Sequence, residues 1–165
     1  MNTLLRSNPS QQKRNRMKYK CIVDIDIPID QAVSLWSDEN YYSKWQDGFQ
    51  AIELLEGESG SVGAKSKILL QHGKRKMELI ETIISNDLPK EKKGLYEHIH
   101  MTNFQTTRFE KLSEHKTQYI SEVEYTKFNG FMPKLMAKLF PRMFKKQSQK
   151  WMNQFKEFAE MSIEK

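Results

Sequence analysis

His98 and His100 stand two residues apart in GLYEHIHMT, with Tyr96 two residues ahead of them. On a β-strand that spacing puts all three side chains on one face. Two imidazoles can begin a zinc site, but none of the spacings supplies a third ligand, and no metal or cofactor is expected. What remains is proton chemistry near neutrality, if the face points inward, or an ordinary surface pair, if it points outward. Glu78, Glu81, Glu110, Glu122 and Glu124 also fall in strand-like segments. A carboxylate turned into an apolar interior needs a partner, for which Arg75, Arg108 or a ligand group are the candidates. Turned outward, the same residues form a Glu/Lys/Arg ladder across neighbouring strands. His72 and His115 fall in turn and loop segments.

Nucleophilic chemistry finds no support. There is no G-x-S-x-G elbow, and the Gly-rich GESGSVG lacks the Lys-Ser/Thr of a phosphate loop. Cys21 sits on the apolar side of an alternating segment and reads as a small buried hydrophobe. No catalytic residues are therefore assigned from spacing. The other distinctive chemistry is soft and apolar. The segment 128–158 holds six of the nine Phe, together with Met132, Met136, Met143 and Met152. Leu135, Leu139 and Met143 can face one neighbour, while Met136, Phe140 and Phe144 need another. That second neighbour is a wide core, an adaptable cavity lining, or a membrane surface met together with Lys134, Lys138, Arg142, Lys145 and Lys146.

The elements that must carry these residues follow from periodicity. KYKCIVDIDI (18–27) alternates as a half-buried strand and stops at Pro28. Asp30 then reads as the N-cap of a short helix burying Ala32, Val33 and Trp36, and a second short helix spans about 39–45. Strands are expected at 49–56, 62–71, 74–85, 94–102, 106–112 and 116–127, with short polar or Gly-containing separators that imply antiparallel pairing. After Gly130 the period changes to 3.6 over 131–161, one amphipathic helix that must kink or restart at Pro141.

Composition sets the bounds. At 165 residues, 38% hydrophobic and 29% charged, the chain suits one globular domain able to enclose a cavity. No apolar run reaches the length of a membrane span. One cysteine excludes an internal disulfide. No secretory signal is read, which makes the cytoplasm the expected compartment. The net charge of +6 is unevenly spread: residues 1–17 hold four basic side chains and no acidic one, leaving +2 for the rest. Residues 1–17 are thus expected to be a disordered basic tail, with 1–16 open to being a misassigned start, and 18–165 the domain. A nucleic-acid partner is not expected.

The order of strand, two short helices, six strands and long helix resembles the START-like (SRPBCC) superfamily, in particular its polyketide cyclase/dehydrase and lipid-transport branch. The resemblance runs over 18–160. It is carried by VDIDIPIDQAVSLWSDENYYSKWQDGF, ETIISNDLP, FEKLSEHKTQYISEVEYTKFNGF and KLFPRMFKKQSQKWMNQFKEFAE. It implies an α+β helix-grip fold: a seven-stranded curved antiparallel sheet around the C-terminal helix, with a cavity between them. The expected lining is Trp45, Leu70, Met77, Leu79, Phe109, Tyr125, Leu135, Met136, Leu139 and Met143, with His98 and His100 as polar anchors. The expected function is binding or transport of a hydrophobic small molecule or lipid by a monomer or homodimer, with transient membrane-surface contact open. The alternative is a cyclase, dehydratase or hydrolase acting on an aromatic or polyketide-like substrate.

Overall fold

In the computed structural model, residues 16–162 are described. Most of the expected basic tail, residues 1–15, lies outside them. β1 (Met17–Ile25) starts one residue before the alternating segment, ends two residues short of its end, and turns Cys21 and Ile25 inward. Two short helices follow. α1 (Ile29–Ser37) begins two residues earlier than an Asp30 cap requires, so Asp30 sits in the first turn, where its charge suits the helix dipole. Ala32 and Trp36, four residues apart, are its buried stripe. A 3₁₀ turn (Glu39–Tyr41), capped by the Asp38 carboxylate, leads into α2 (Tyr42–Trp45), whose Trp45 is buried.

Six more strands follow: β2 (Phe49–Glu56), β3 (Lys65–His72), β4 (Arg75–Asp87), β5 (Glu91–His98), β6 (Met101–Ser113) and β7 (Lys116–Phe128). All pairs are antiparallel, in the order β1-β7-β6-β5-β4-β3-β2. β1 and β2, neighbours in sequence, therefore lie at opposite edges, and α1 and α2 span the distance between them. The C-terminal segment restarts at proline. α3 (Phe131–Leu139) stops at Phe140, and α4 (Pro141–Met161) starts with Pro141 at a first-turn position where its missing N–H costs nothing. α4 crosses the concave face beside β1 and touches α1 and α2. This is the helix-grip fold.

Two boundaries differ from expectation, and both matter for the site. The separator expected between the strands 74–85 and 94–102 is mostly not loop. The turn is confined to Leu88, Pro89 and Lys90, with a cis Leu88–Pro89 bond, and 91–94 pairs within β5. The strand expected at 94–102 is interrupted: Ile99 and His100 form the β5–β6 turn, and β6 runs unbroken through 103–105. The strand count survives because one break shortens and the other moves.

The dry core lies where α1 and α4 meet β1, β6 and β7. Phe109 and Tyr119 stack at 4.9 Å, Trp36 meets both edge-on, and Phe155 of α4 closes on Tyr119 at 5.7 Å. The Trp36 indole N–H donates to the Tyr119 hydroxyl at 3.0 Å. The Thr117 hydroxyl donates to the Ile27 carbonyl at 2.8 Å and fixes the exit from β1. Polar atoms this deep must be paired, and these are. Outside, the convex face carries the expected ladder, including Glu124 with Lys18, Glu122 with Arg108, and Glu53 with Lys67.

Candidate functional site

The curved sheet is wider than α4, and the helix cannot fill it. A cavity of about 330 Å³ remains between the concave face, α2 and α4. Its walls are mainly aromatic and thioether: Trp45 from α2, Leu70 from β3, Met77 and Leu79 from β4, Tyr125 from β7, and Phe144, Trp151 and Met152 from α4. Each strand contributes alternate residues, as the period of two requires.

One wall is charged. Glu81 of β4 faces inward and is 7% exposed. The Tyr96 hydroxyl donates to Glu81 Oε1 at 2.6 Å, and Lys92 Nζ lies 3.9 Å from the same oxygen. Lys92 also sits 5.3 Å from the centre of the Trp36 ring, a cation–π distance. Gly94 makes this arrangement possible. It shares a face with Tyr96, and a Cβ there would lie 2.8 Å from the Tyr96 ring. The ring therefore folds back over Gly94, where its hydroxyl meets the register partner Glu81. Burial, and then the Glu81 carboxylate, hold the Tyr96 hydroxyl well above its ordinary pKa. Burial chiefly does the same to Tyr42 and Tyr119. These phenols are neutral hydrogen-bond donors at physiological pH.

Towards β1 the wall is neutral and polar. The hydroxyls of Tyr19 and Ser148 pair at 2.9 Å, and Tyr125 packs between Phe128 and Phe144. Two cavity-lining side chains keep an unpartnered buried nitrogen among the described residues: Trp45 Nε1 and Gln147 Nε2. His72 is the exposed lining residue, stacked on Trp151, so the cavity reaches the surface between the end of β3 and α4.

The structure gathers five of the expected lining residues: Trp45, Leu70, Met77, Leu79 and Tyr125. The others are elsewhere. Phe109 belongs to the dry core. Leu135, Met136 and Leu139 are carried away on α3, and Met143, 53% exposed, points off α4. His98 and His100 are also outside the lining. The early end of β5 puts them at the hairpin turn, with rings 5.3 Å apart and the His100 backbone N–H donating to His98 Nδ1. Burial, and then His100, push the His98 pKa down. Arg108 faces outward onto Glu122. Cys21 is 1% exposed, and burial raises its thiol pKa, as suits an inert core residue.

Sequence pattern does not reveal the Glu81–Lys92–Tyr96 group because Lys92 falls in the separator expected between the strands 74–85 and 94–102. The available signal was Gly94 itself, since a glycine inside a strand marks a close approach. Among the described residues no three His, Cys, Asp or Glu side chains could hold a metal ion, and no helix is long and apolar enough to cross a membrane.

No protein-family model and no curated protein matches the chain. Solved structures do. Zhui aromatase/cyclase from a Streptomyces species superposes with a TM-score of 0.74 at 11% identity, over 88% of this chain and 94% of that one. A conserved protein from Geobacillus kaustophilus gives 0.72 at 16%, over 88% and 97%. Major latex-like protein 151 from Panax ginseng gives 0.69 at 16%, over 88% and 98%. The likeness is one of fold: these structures share the chain's curved antiparallel sheet and C-terminal helix.

Proposed function

We propose that the protein binds a hydrophobic small molecule or lipid with one polar end, held between the sheet and α4. The observation that carries this reading is the cavity: about 330 Å³ of largely aromatic and thioether wall with a few convergent polar groups. That is the usual composition of a small-molecule site. The Glu81–Lys92–Tyr96 wall and the free nitrogens of Trp45 and Gln147 suit a ligand oxygen, because an unpaired buried donor costs about 1–3 kcal/mol. One protein that shares the fold is an aromatase/cyclase, which supports a small-molecule site in this fold.

The test is titration of the purified chain with a solvatochromic fatty-acid probe, beside native mass spectrometry for a copurified ligand. Leu79→Trp should fill the cavity and abolish probe binding while leaving the melting temperature close to wild type. Absence of any bound species, or equal binding by Leu79→Trp, counts against the reading.

A second reading is a cyclase, dehydratase or hydrolase acting on an aromatic or polyketide-like substrate. The buried Glu81–Lys92–Tyr96 contact favours it, because a carboxylate, an ammonium and a phenol already converge on an apolar cavity. Tyr96→Phe would remove turnover but not binding if that reading holds.

A further inference from the structure

α3 is an apolar helix that is only partly covered: Leu135, Met136 and Ala137 are half-buried. It buries none of its residues. Five of the fourteen exposed large hydrophobic side chains among the described residues fall within 131–143: Phe131, Met132, Leu139, Phe140 and Met143. Phe131 is 76% exposed. A sixth, Ile99 at 75%, projects from the β5–β6 turn. That turn is tied to the base of α3: the Asn129 backbone N–H donates to the His100 carbonyl at 2.7 Å, and its side-chain amide to the Ile99 carbonyl at 3.0 Å.

Charge says what covers this face. Lys134, Lys138, Arg142, Lys145 and Lys146 are interleaved with the apolar residues, and no Asp or Glu occurs between positions 131 and 156. Among the described residues none of the five forms an ion pair, whereas the lysines of the strands mostly do. A second copy of the chain would meet the same uncompensated cations across a two-fold interface, and like charges facing each other oppose association. A surface that accepts apolar side chains and supplies negative charge at once is an anionic bilayer: aromatic and thioether groups enter the acyl boundary while basic groups stay among the head groups.

We propose that α3, the start of α4 and the β5–β6 turn form a docking surface for anionic lipid membranes, with Phe131, Phe140 and Ile99 inserting and the five basic residues bound at the head groups. The proposal does not depend on what the cavity holds.

The experiment is co-sedimentation of the full chain with phosphatidylcholine vesicles, with and without phosphatidylserine, and no cavity ligand added. Binding is expected on the phosphatidylserine vesicles and should weaken steeply with salt. The double substitution Phe131→Ser and Phe140→Ser should reduce partitioning ~10-fold or more. Lys138→Gln and Arg142→Gln should each reduce it about fivefold. These side chains are exposed, so unchanged melting temperatures should show that the variants fold. Three results overturn the proposal: no binding to either vesicle type; binding that survives both sets of substitutions, which would assign it to another part of the chain; or a dimer in solution that the Phe substitutions dissociate, which would make a second copy the occupant.

Discussion

The two ends of the C-terminal helical segment are built from similar residues and used in opposite ways. At the far end, Met152, Phe155 and Ala159 of α4 are buried against α1, α2 and β1, with Phe155 completely enclosed. At the near end, Phe131, Met132, Leu139 and Phe140 are exposed. Between them, Phe144, Gln147, Ser148 and Trp151 face the cavity. One amphipathic pattern thus serves core, cavity and surface in turn, and the difference lies in what the rest of the fold brings opposite each turn of helix. α1 and α2 lie only over the far end.

The sharpest way to break this comparison is to truncate the same kind of side chain at both ends. Phe155→Ala should cost ~3–5 kcal/mol in denaturant unfolding, because it empties a site that cannot collapse between Trp45 and Tyr119. Leu139→Ala should change stability by no more than about 0.5 kcal/mol. Equal effects would mean α3 packs on something in solution. Next in size is Tyr119→Phe. It strands the Trp36 N–H inside the core and should cost ~1–3 kcal/mol, against near-neutrality for a tyrosine whose hydroxyl reaches solvent.

Gly94→Ala should act on the cavity rather than the core. It displaces the Tyr96 ring from Glu81, with an overpacking cost of ~1–3 kcal/mol. Probe affinity should change more than for any substitution on the convex ladder. The smallest effects are on pH. The burial-raised phenols of Tyr96, Tyr119 and Tyr125 hold their protons in the folded state where the unfolded chain would lose them. Stability should therefore fall as pH rises above about 10. Tyrosinate absorbance from these groups should appear only with unfolding. His98 contributes at the other end. Its folded pKa lies below the unfolded value, so the unfolded state binds the extra proton first, and stability should decline as pH drops below about 6.5. His98→Asn should flatten that slope, and an unchanged acid limb would exclude His98 as its source.

What the sequence revealed about the fold was the part governed by periodicity. β1, β2, β7, both short helices and the restart at Pro141 follow from alternation, from apolar stripes and from proline's missing donor. The errors cluster at one hairpin. Gly94 and the lysines beside it have turn-like composition, but Leu88 and Pro89 already supply the turn, leaving 92–94 free to pair with 105–107 on β6. That one displacement hid Lys92 and moved His98 and His100 from a supposed cavity face to a turn. Leu70, Met77, Leu79 and Tyr125 do lie at the cavity, but alternation alone left open which face of each strand turns inward, and helical period alone could not place Leu135 and Leu139. Period gives a helix an apolar face, and only the tertiary arrangement decides whether anything lies opposite it.

The break at Phe140–Pro141 also has a kinetic meaning. A continuous helix would share the fate of Phe155 along its whole length. Here α3 ends at a residue with φ −130° and α4 begins afresh, so the two helices should open as separate cooperative units. The amides of α3 should exchange with solvent through local opening, at rates indifferent to low denaturant, while those around Met152 and Phe155 exchange only when the whole molecule unfolds. Opening α3 should accordingly cost far less than unfolding the sheet, and substitutions that weaken one should leave the other nearly unchanged.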